Sequence, residues 1–209
     1  MSLVSCDVAL SLDGFMAGPN QSLEHPLGEG ADTRLHTWMF DRPEENAAEL
    51  AAITDAGAFI MGRNMFGPVR GPWETWDAQG TGAWRGWWGE DPPYHAPVFV
   101  LTHHPREPLT MDGGTTFYFV SDGPAAALDL ARAAAGERGV SIGGGARTIN
   151  QFLADGLIDE LRLHLVPVVF GAGERLFDGL PRLEFTQAGA RATSLVTHLT
   201  YRRAPVDGG

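Results

Sequence analysis

The sequence predicts a three-layer α/β fold with a mostly parallel central sheet of about eight strands and an antiparallel C-terminal hairpin. Three observations predict it. Short apolar runs of buried-strand type (AFIMG, PVFVL, TTFYFV) are interleaved with helix-like stretches, as parallel sheets require. A glycine cluster, Gly143-Gly144-Gly145, divides one such run from a helix. The final segments, LEFTQAGARA and TSLVTHLTYRR, read as two strands joined by a turn.

Each element follows from local chemistry. VSCDVALSLDGFMAG alternates and then meets Asp13-Gly14, a strand running into a turn. Asp32 is placed to cap a helix reaching about Phe40, with Leu35, Trp38 and Met39 on one face. Pro43 fits a helix N1 position, and EENAAELAAITDAG is an alanine-rich helix ending at Gly57. AFIMG is a short buried strand. PVFVLTHHP and TTFYFVSD are two more, and a long irregular segment from Gly67 to about Pro97 precedes them. GPAAALDLARAAAG forms a helix, with Gly136 and Gly139 at its exit. VSIGGGARTINQFLADGLIDELRLHLVPVVFG then supplies strand, turn, helix and a long alternating strand to Phe170.

The 209 residues suit a single domain spanning 1–209, large enough for a core without disulfides or metals. The lone Cys6 lies in the first strand with no Cys/His cluster near it, so a buried apolar role is expected and no metal site. No leader-like N-terminus and no long apolar run occur, which points to a cytoplasmic protein without a membrane partner. A net charge of −11 and the lack of a Lys/Arg stripe argue against nucleic acid.

A strand ending in glycines before a helix exposes backbone N–H groups at the positive end of the helix dipole, and phosphate can approach them unobstructed. Gly143, Gly144 and Gly145 supply that approach, and Arg147 and Thr148 add side-chain donors. A tight packing turn is the plain alternative. The register Gly143-x-Gly145-x-x-Thr148 lacks the third glycine of a Rossmann fingerprint, and only 64 residues follow Gly145. The next strand runs into a hairpin and offers no acid for a ribose, so the Rossmann reading fails on topology. A second constellation lies at other strand ends: Gly62-Arg63-Asn64-Met65 after AFIM, and Thr102-His103-His104 after PVFVL. Arg, Thr and His there suit the 2′-phosphate of NADP, because a guanidinium matches phosphate geometry.

With Ser11-Leu12-Asp13-Gly14, Met61-Gly62-Arg63, Val100-Leu101-Thr102, the glycine turn, Gly156–Leu161 and Pro167–Gly173 in this order, the chain resembles the dihydrofolate reductase-like superfamily. It is most similar there to the reductase domain of the riboflavin-pathway bifunctional deaminase–reductase and its stand-alone relatives. The resemblance implies a homodimer that binds NADPH across the sheet. It places Val8 and Ala9 along the nicotinamide through their backbone. Gly62, Arg63, Asn64, Met65, Thr102 and His103 fall at the adenosine ribophosphate, and Gly143, Gly144, Gly145, Arg147, Thr148 and Ile149 at the pyrophosphate. Many relatives carry Arg where this chain has His103, with His104 and Arg106 close by to compensate. One cysteine cannot build the deaminase zinc motif, so only the reductase half is expected.

The implied reaction is hydride transfer to a C=N or C=O bond of a small heterocycle, with 5-amino-6-(5-phosphoribosylamino)uracil the first candidate. Another small-carbonyl or dihydrofolate-type reductase is the alternative, and a non-catalytic nucleotide-binding protein is the alternative from a different class. Asp13 is either the catalytic acid beside the nicotinamide or plain turn chemistry. Asp32 reads as an N-cap, and neither it nor Asp41 matches the folate-protonating acid of dihydrofolate reductases. Trp38 on the first helix and Glu174 in the loop after Gly171 are candidate substrate contacts. His36 is a possible donor or a packing residue. The irregular segment holds five of the six tryptophans and serves either as a lid or as packing or dimer surface. Asp159 and Glu160 are adjacent on a strand and point to opposite faces.

Overall fold

A computed structural model describes residues 2–31, 34–67, 71–73 and 84–204. Asp32 and Trp76 lie outside the described residues. The strands are β1 (Val4–Leu10), β2 (Phe15–Ala17), β3 (Ala58–Gly62), β4 (Pro97–Leu101), β5 (Leu109–Thr110), β6 (Thr116–Val120), β7 (Val140–Ile142), β8 (Glu160–Leu165), β9 (Glu174–Arg175), β10 (Phe185–Ala192) and β11 (Thr197–Arg203). The helices are α1 (Thr37–Asp41), α2 (Ala47–Thr54), α3 (Arg63–Phe66), α4 (Gly123–Ala135) and α5 (Ala146–Ala154). Short 3₁₀ turns, Arg34–His36 and Glu44–Asn46, lead into α1 and α2.

Nine strands form one sheet in the order β10-β11-β8-β1-β7-β3-β4-β6-β5. Every neighbouring pair from β8 to β6 is parallel. The C-terminal hairpin β10–β11 joins β8 antiparallel, and β5 closes the other edge antiparallel. The predicted class therefore holds, with nine strands where about eight are expected. The extra strand in the sheet is β5, two residues long; β2 and β9 pair separately as a small ribbon. Strands this short carry no periodicity to read.

Strand alternation sorts the core into two faces. Val4, Cys6, Val8, Ile60 and Ile142 pack with Ala127, Leu128 and Ala131 of α4 and Ile149, Phe152 and Leu153 of α5. The alternate residues Phe59, Met61, Val98 and Val100 meet Phe66, Trp73 and Phe117 on the opposite face. Ala9, Leu35, Trp38, Val166 and Val196 extend that face towards the hairpin. Each such buried aliphatic or aromatic side chain contributes roughly 1.5–3 kcal/mol. Cys6 is fully buried, and burial pushes its thiol well above the ordinary range, as its bland reading requires.

β8 stops at Leu165, short of the expected Phe170. The Val166 N–H leaves the ladder to donate to Leu10 O at 2.8 Å, Pro167 has no N–H to give, and the Val168 N–H folds back to Val166 O. Among the described residues no helix is long and apolar enough to cross a membrane.

Candidate active site

Strand lengths make the site. β7 has three residues and pairs with β1 only at Val4–Cys6 and with β3 only at Ala58–Ile60. On the β3 side the glycine turn stays close, because Gly143 N–H donates to Ile60 O at 2.7 Å and Gly62 N–H to Gly144 O at 3.0 Å. On the β1 side the stretch Asp7–Leu10 runs on with β8 as its one strand partner. A notch therefore opens between β1 and the glycine turn. It lies where the sheet order reverses, with β3, β4 and β6 laid down on one side of β7 and β8 on the other. Open α/β sheets bind ligands at that place, at the carboxyl ends of the strands.

The turn is fitted to its neighbours. A Cβ on Gly62 would strike the Thr148 hydroxyl, and one on Gly143 would come within 3.0 Å of Met65 Sδ. One on Gly145 would meet nothing within 4 Å, so open space lies in front of the α5 N-terminus. The Gly144–Gly145 peptide is cis. The backbone groups of Ala9, in phase with Leu3 whose carbonyl accepts from the Val140 N–H, face the notch. Those of Val8, in phase with Val4 and Leu10, are turned to β8, so only one of the two expected backbone contacts borders the open side.

β3 and β4 are neighbours, so Arg63 and Thr102-His103 stand side by side at the same edge. The Arg63 guanidinium lies 4.0 Å over the Trp73 ring and donates to Gly71 O. Thr102 is buried, and its hydroxyl accepts the His104 N–H at 3.1 Å. Asn64 and His103 are exposed. Arg147 is also exposed, 3.8 Å from the Glu174 carboxylate.

Asp13 sits at the far wall. Its carboxylate accepts from the Ser11 hydroxyl at 2.6 Å, the Phe170 N–H at 3.1 Å and the Gly171 N–H at 2.7 Å. These donors, the Ser11 hydroxyl first, hold its carboxyl at about 2. The group is a charged clamp that ties the β1–β2 turn to the loop after β8.

The RibD C-terminal domain family model matches residues 2–199. The chain belongs to that family. No curated protein sequence matches. Among the solved structures that share the fold are the following two. One is a protein described as belonging to riboflavin biosynthesis from Shewanella sp. PV-4, at 24% identity and TM-score 0.63, over 98% of this chain and 99% of that one. The other is a diaminohydroxyphosphoribosylaminopyrimidine deaminase/5-amino-6-(5-phosphoribosylamino)uracil reductase from Thermotoga maritima. It is 16% identical at TM-score 0.57, over 97% of this chain and 57% of that one.

Within this RibD C-terminal domain, two expected contacts are displaced from the site surface. Trp38 is fully buried, its indole N–H donating to Leu35 O at 3.0 Å, with its ring packed on His164 and His198. A core tryptophan has no face to offer a substrate. The Ile149 side chain is likewise buried, and its N–H donates to Gly145 O at 3.2 Å. Glu174 is near the surface, on β9, beside the first turn of α5. His36 is half-buried, and burial lowers its affinity for a proton, so packing describes it better than donation.

The described tryptophans of the irregular segment pack over the sheet. Trp73 and Trp84 donate to His104 O at 2.7 Å and Phe66 O at 2.8 Å, and Trp88 stacks on Phe117. Asp159 and Glu160 act separately, the first accepting from the Val4 N–H and the second meeting Arg162 and Arg202.

Two features escape sequence reasoning. A cavity of about 330 Å³ is lined by Pro19, Glu29, Arg34, Val168, Phe170 and Ala172 among others. It lies between the loop after β2 and the loop that Asp13 clamps. The second is a buried polar chain, Asp7–His164–His198–Asn46, on the face beneath Trp38. Asp7, Glu160, Arg162, His164, His198 and Arg202 all fall on the same phase of β1, β8 and β11, with apolar residues alternating between them on β1 and β8. That shared phase is the signal that marks one polar sheet face.

Proposed function

We propose that this chain is an NADPH-dependent reductase that delivers hydride to a C=N or C=O bond of a small heterocycle. The notch beside the three-residue β7, floored by glycines and facing the α5 N-terminus, is the observation that carries the reading. The cradle suits a dinucleotide because its floor has no Cβ in front of Gly145 and its two flanks end in basic side chains. The Gly143–Gly145 backbone, Thr148 and Arg147 hold the pyrophosphate; Arg63, Thr102 and His103 hold the adenosine ribophosphate. The backbone of Ala9 aligns the nicotinamide, which when bound supplies the hydride.

Asp13 is then a positioning residue. A carboxylate held at about 2 keeps no proton to give near neutrality, and its bonds to Phe170 and Gly171 fix one wall of the 330 Å³ cavity. That cavity is the substrate site in this reading, and 5-amino-6-(5-phosphoribosylamino)uracil is the first compound to try, from the activity given for the Thermotoga maritima protein. The domain works as a homodimer in the cytoplasm.

The test is cofactor binding followed by fluorescence. NADPH should bind at micromolar concentrations. Arg63→Ala should weaken NADPH about tenfold or more and leave NADH little changed, the effect of losing a charged hydrogen bond. An unchanged NADPH-to-NADH ratio removes Arg63 from the 2′-phosphate, and no binding by the wild-type protein removes the reductase reading.

A further inference from the structure

The polarity of the buried chain Asp7–His164–His198–Asn46 can be followed from one end. Asn46 is fully buried, and its amide Nδ2 donates to Trp38 O at 3.2 Å and to Arg42 O at 2.6 Å. Both amide hydrogens are thereby used, so the atom facing His198 Nε2 at 2.8 Å is the carbonyl Oδ1. His198 Nε2 must therefore carry a hydrogen. Burial, above all, lowers His198 to about 4, so this ring is neutral and its Nδ1 is a bare acceptor. His164 Nδ1, 2.8 Å away, must then be the donor. One atom remains. His164 Nε2 faces Asp7 Oδ1 at 3.7 Å, and neither buried atom has a hydrogen-bond partner among the described residues.

With a neutral His164, two buried acceptors would confront each other, an arrangement that costs the desolvation of both. A second ring proton removes the conflict. We propose that His164 is held as an imidazolium, ion-paired with Asp7 inside the β1–β8–β11 face and capped by Trp38. The surroundings favour this placement over a proton on Asp7. Arg162 on β8 reaches Asp7 Oδ2 at 3.3 Å and is itself paired with Glu160, so the carboxylate keeps its charge. His36, from the 3₁₀ turn before α1, faces His164, and burial lowers it, so it stays neutral. Glu49 of α2 acts favourably on His198 and is neutralised by Arg191 of β10.

The pair stands along this wall of the notch. Asp7 lies two residues before Ala9 on β1, and His164 two residues before Val166, where the loop clamped by Asp13 begins.

Ring-nitrogen NMR of the ¹⁵N-labelled full chain at pH 8 tests this directly. One imidazole should show both nitrogens protonated, and that signal should vanish in His164→Gln. In Asp7→Asn, Arg162 should take the amide oxygen and leave Nδ2 to donate to a neutral His164, so the doubly protonated signal should disappear. Seven singly protonated rings in the wild-type spectrum at pH 8, or an Asp7→Asn protein that keeps the doubly protonated signal, overturns the proposal. If Asp7→Asn does not fold, the wild-type spectrum alone decides.

Discussion

The two flanks of the notch are built by different means. On the β1–β7 flank the surface is backbone: Gly143–Gly145, the β1 residues beyond the reach of β7, and a carboxylate that fastens two amides. On the β3–β4 flank it is side chain: a guanidinium laid on an indole, which is in turn fastened to the His104 carbonyl. A backbone surface depends on what is absent from it, and a side-chain surface depends on what supports it from behind. The two flanks should therefore fail in different ways.

The largest effect is expected from Trp73→Ala. It removes the platform under Arg63 and the edge contacts to Phe66 and Phe119, with an expected loss of about 3–5 kcal/mol in denaturant unfolding. If the loss is below 1 kcal/mol, the side-chain flank is not supported as described. Gly62→Ala should be milder and should act in the opposite sense, by addition. Its methyl meets the Thr148 hydroxyl, at an expected cost of about 1–3 kcal/mol. Thr148→Ala in the same chain should recover much of that loss, and a double-mutant cycle without coupling would separate the two residues.

Asp13→Asn should change least, and its deficit should be present at neutral pH and close in acid. The Asp13 carboxyl is depressed in the folded state, so its stabilisation is complete above the unfolded value of about 3.9 and disappears as pH falls through about 2. The wild-type melting temperature should drop across that window more steeply than that of Asp13→Asn. Parallel acid limbs would mean that the clamp carries no charge-dependent stability.

The same contrast explains what the sequence reveals. The backbone flank is legible because it is local: Ser11–Gly14, the three glycines and the strand AFIMG each declare themselves within a few residues. The parallel core is legible because its apolar runs are unbroken, and the C-terminal hairpin because two strand-like segments follow each other across a short turn. The side-chain flank is not, because Trp73 finds the carbonyl of His104 thirty-one positions away. Trp38 shows the converse error. A tryptophan on a helix near the site looks like a ligand contact until Leu35, Val166 and Val196 are seen to enclose it. The buried histidines escape because their partners lie on three strands, and only the packed sheet brings Asp7, His164 and His198 together. Nothing local in VSCDVAL or ELRLHL separates a polar residue that is buried and paired from one facing water.

The brevity of β7 has a further consequence. Where the notch lies is determined by how many residues a strand contains, and no individual side chain stores that number. A survey that trims side chains one at a time would register the buried Val140 and Ile142 as core residues and leave the cleft itself in place. Inserting two residues after Ile142 would extend the ladder towards Leu10 and fill the gap with polypeptide while every native side chain remained. The feature that most defines this site is thus invisible to substitution and exposed to changes of length.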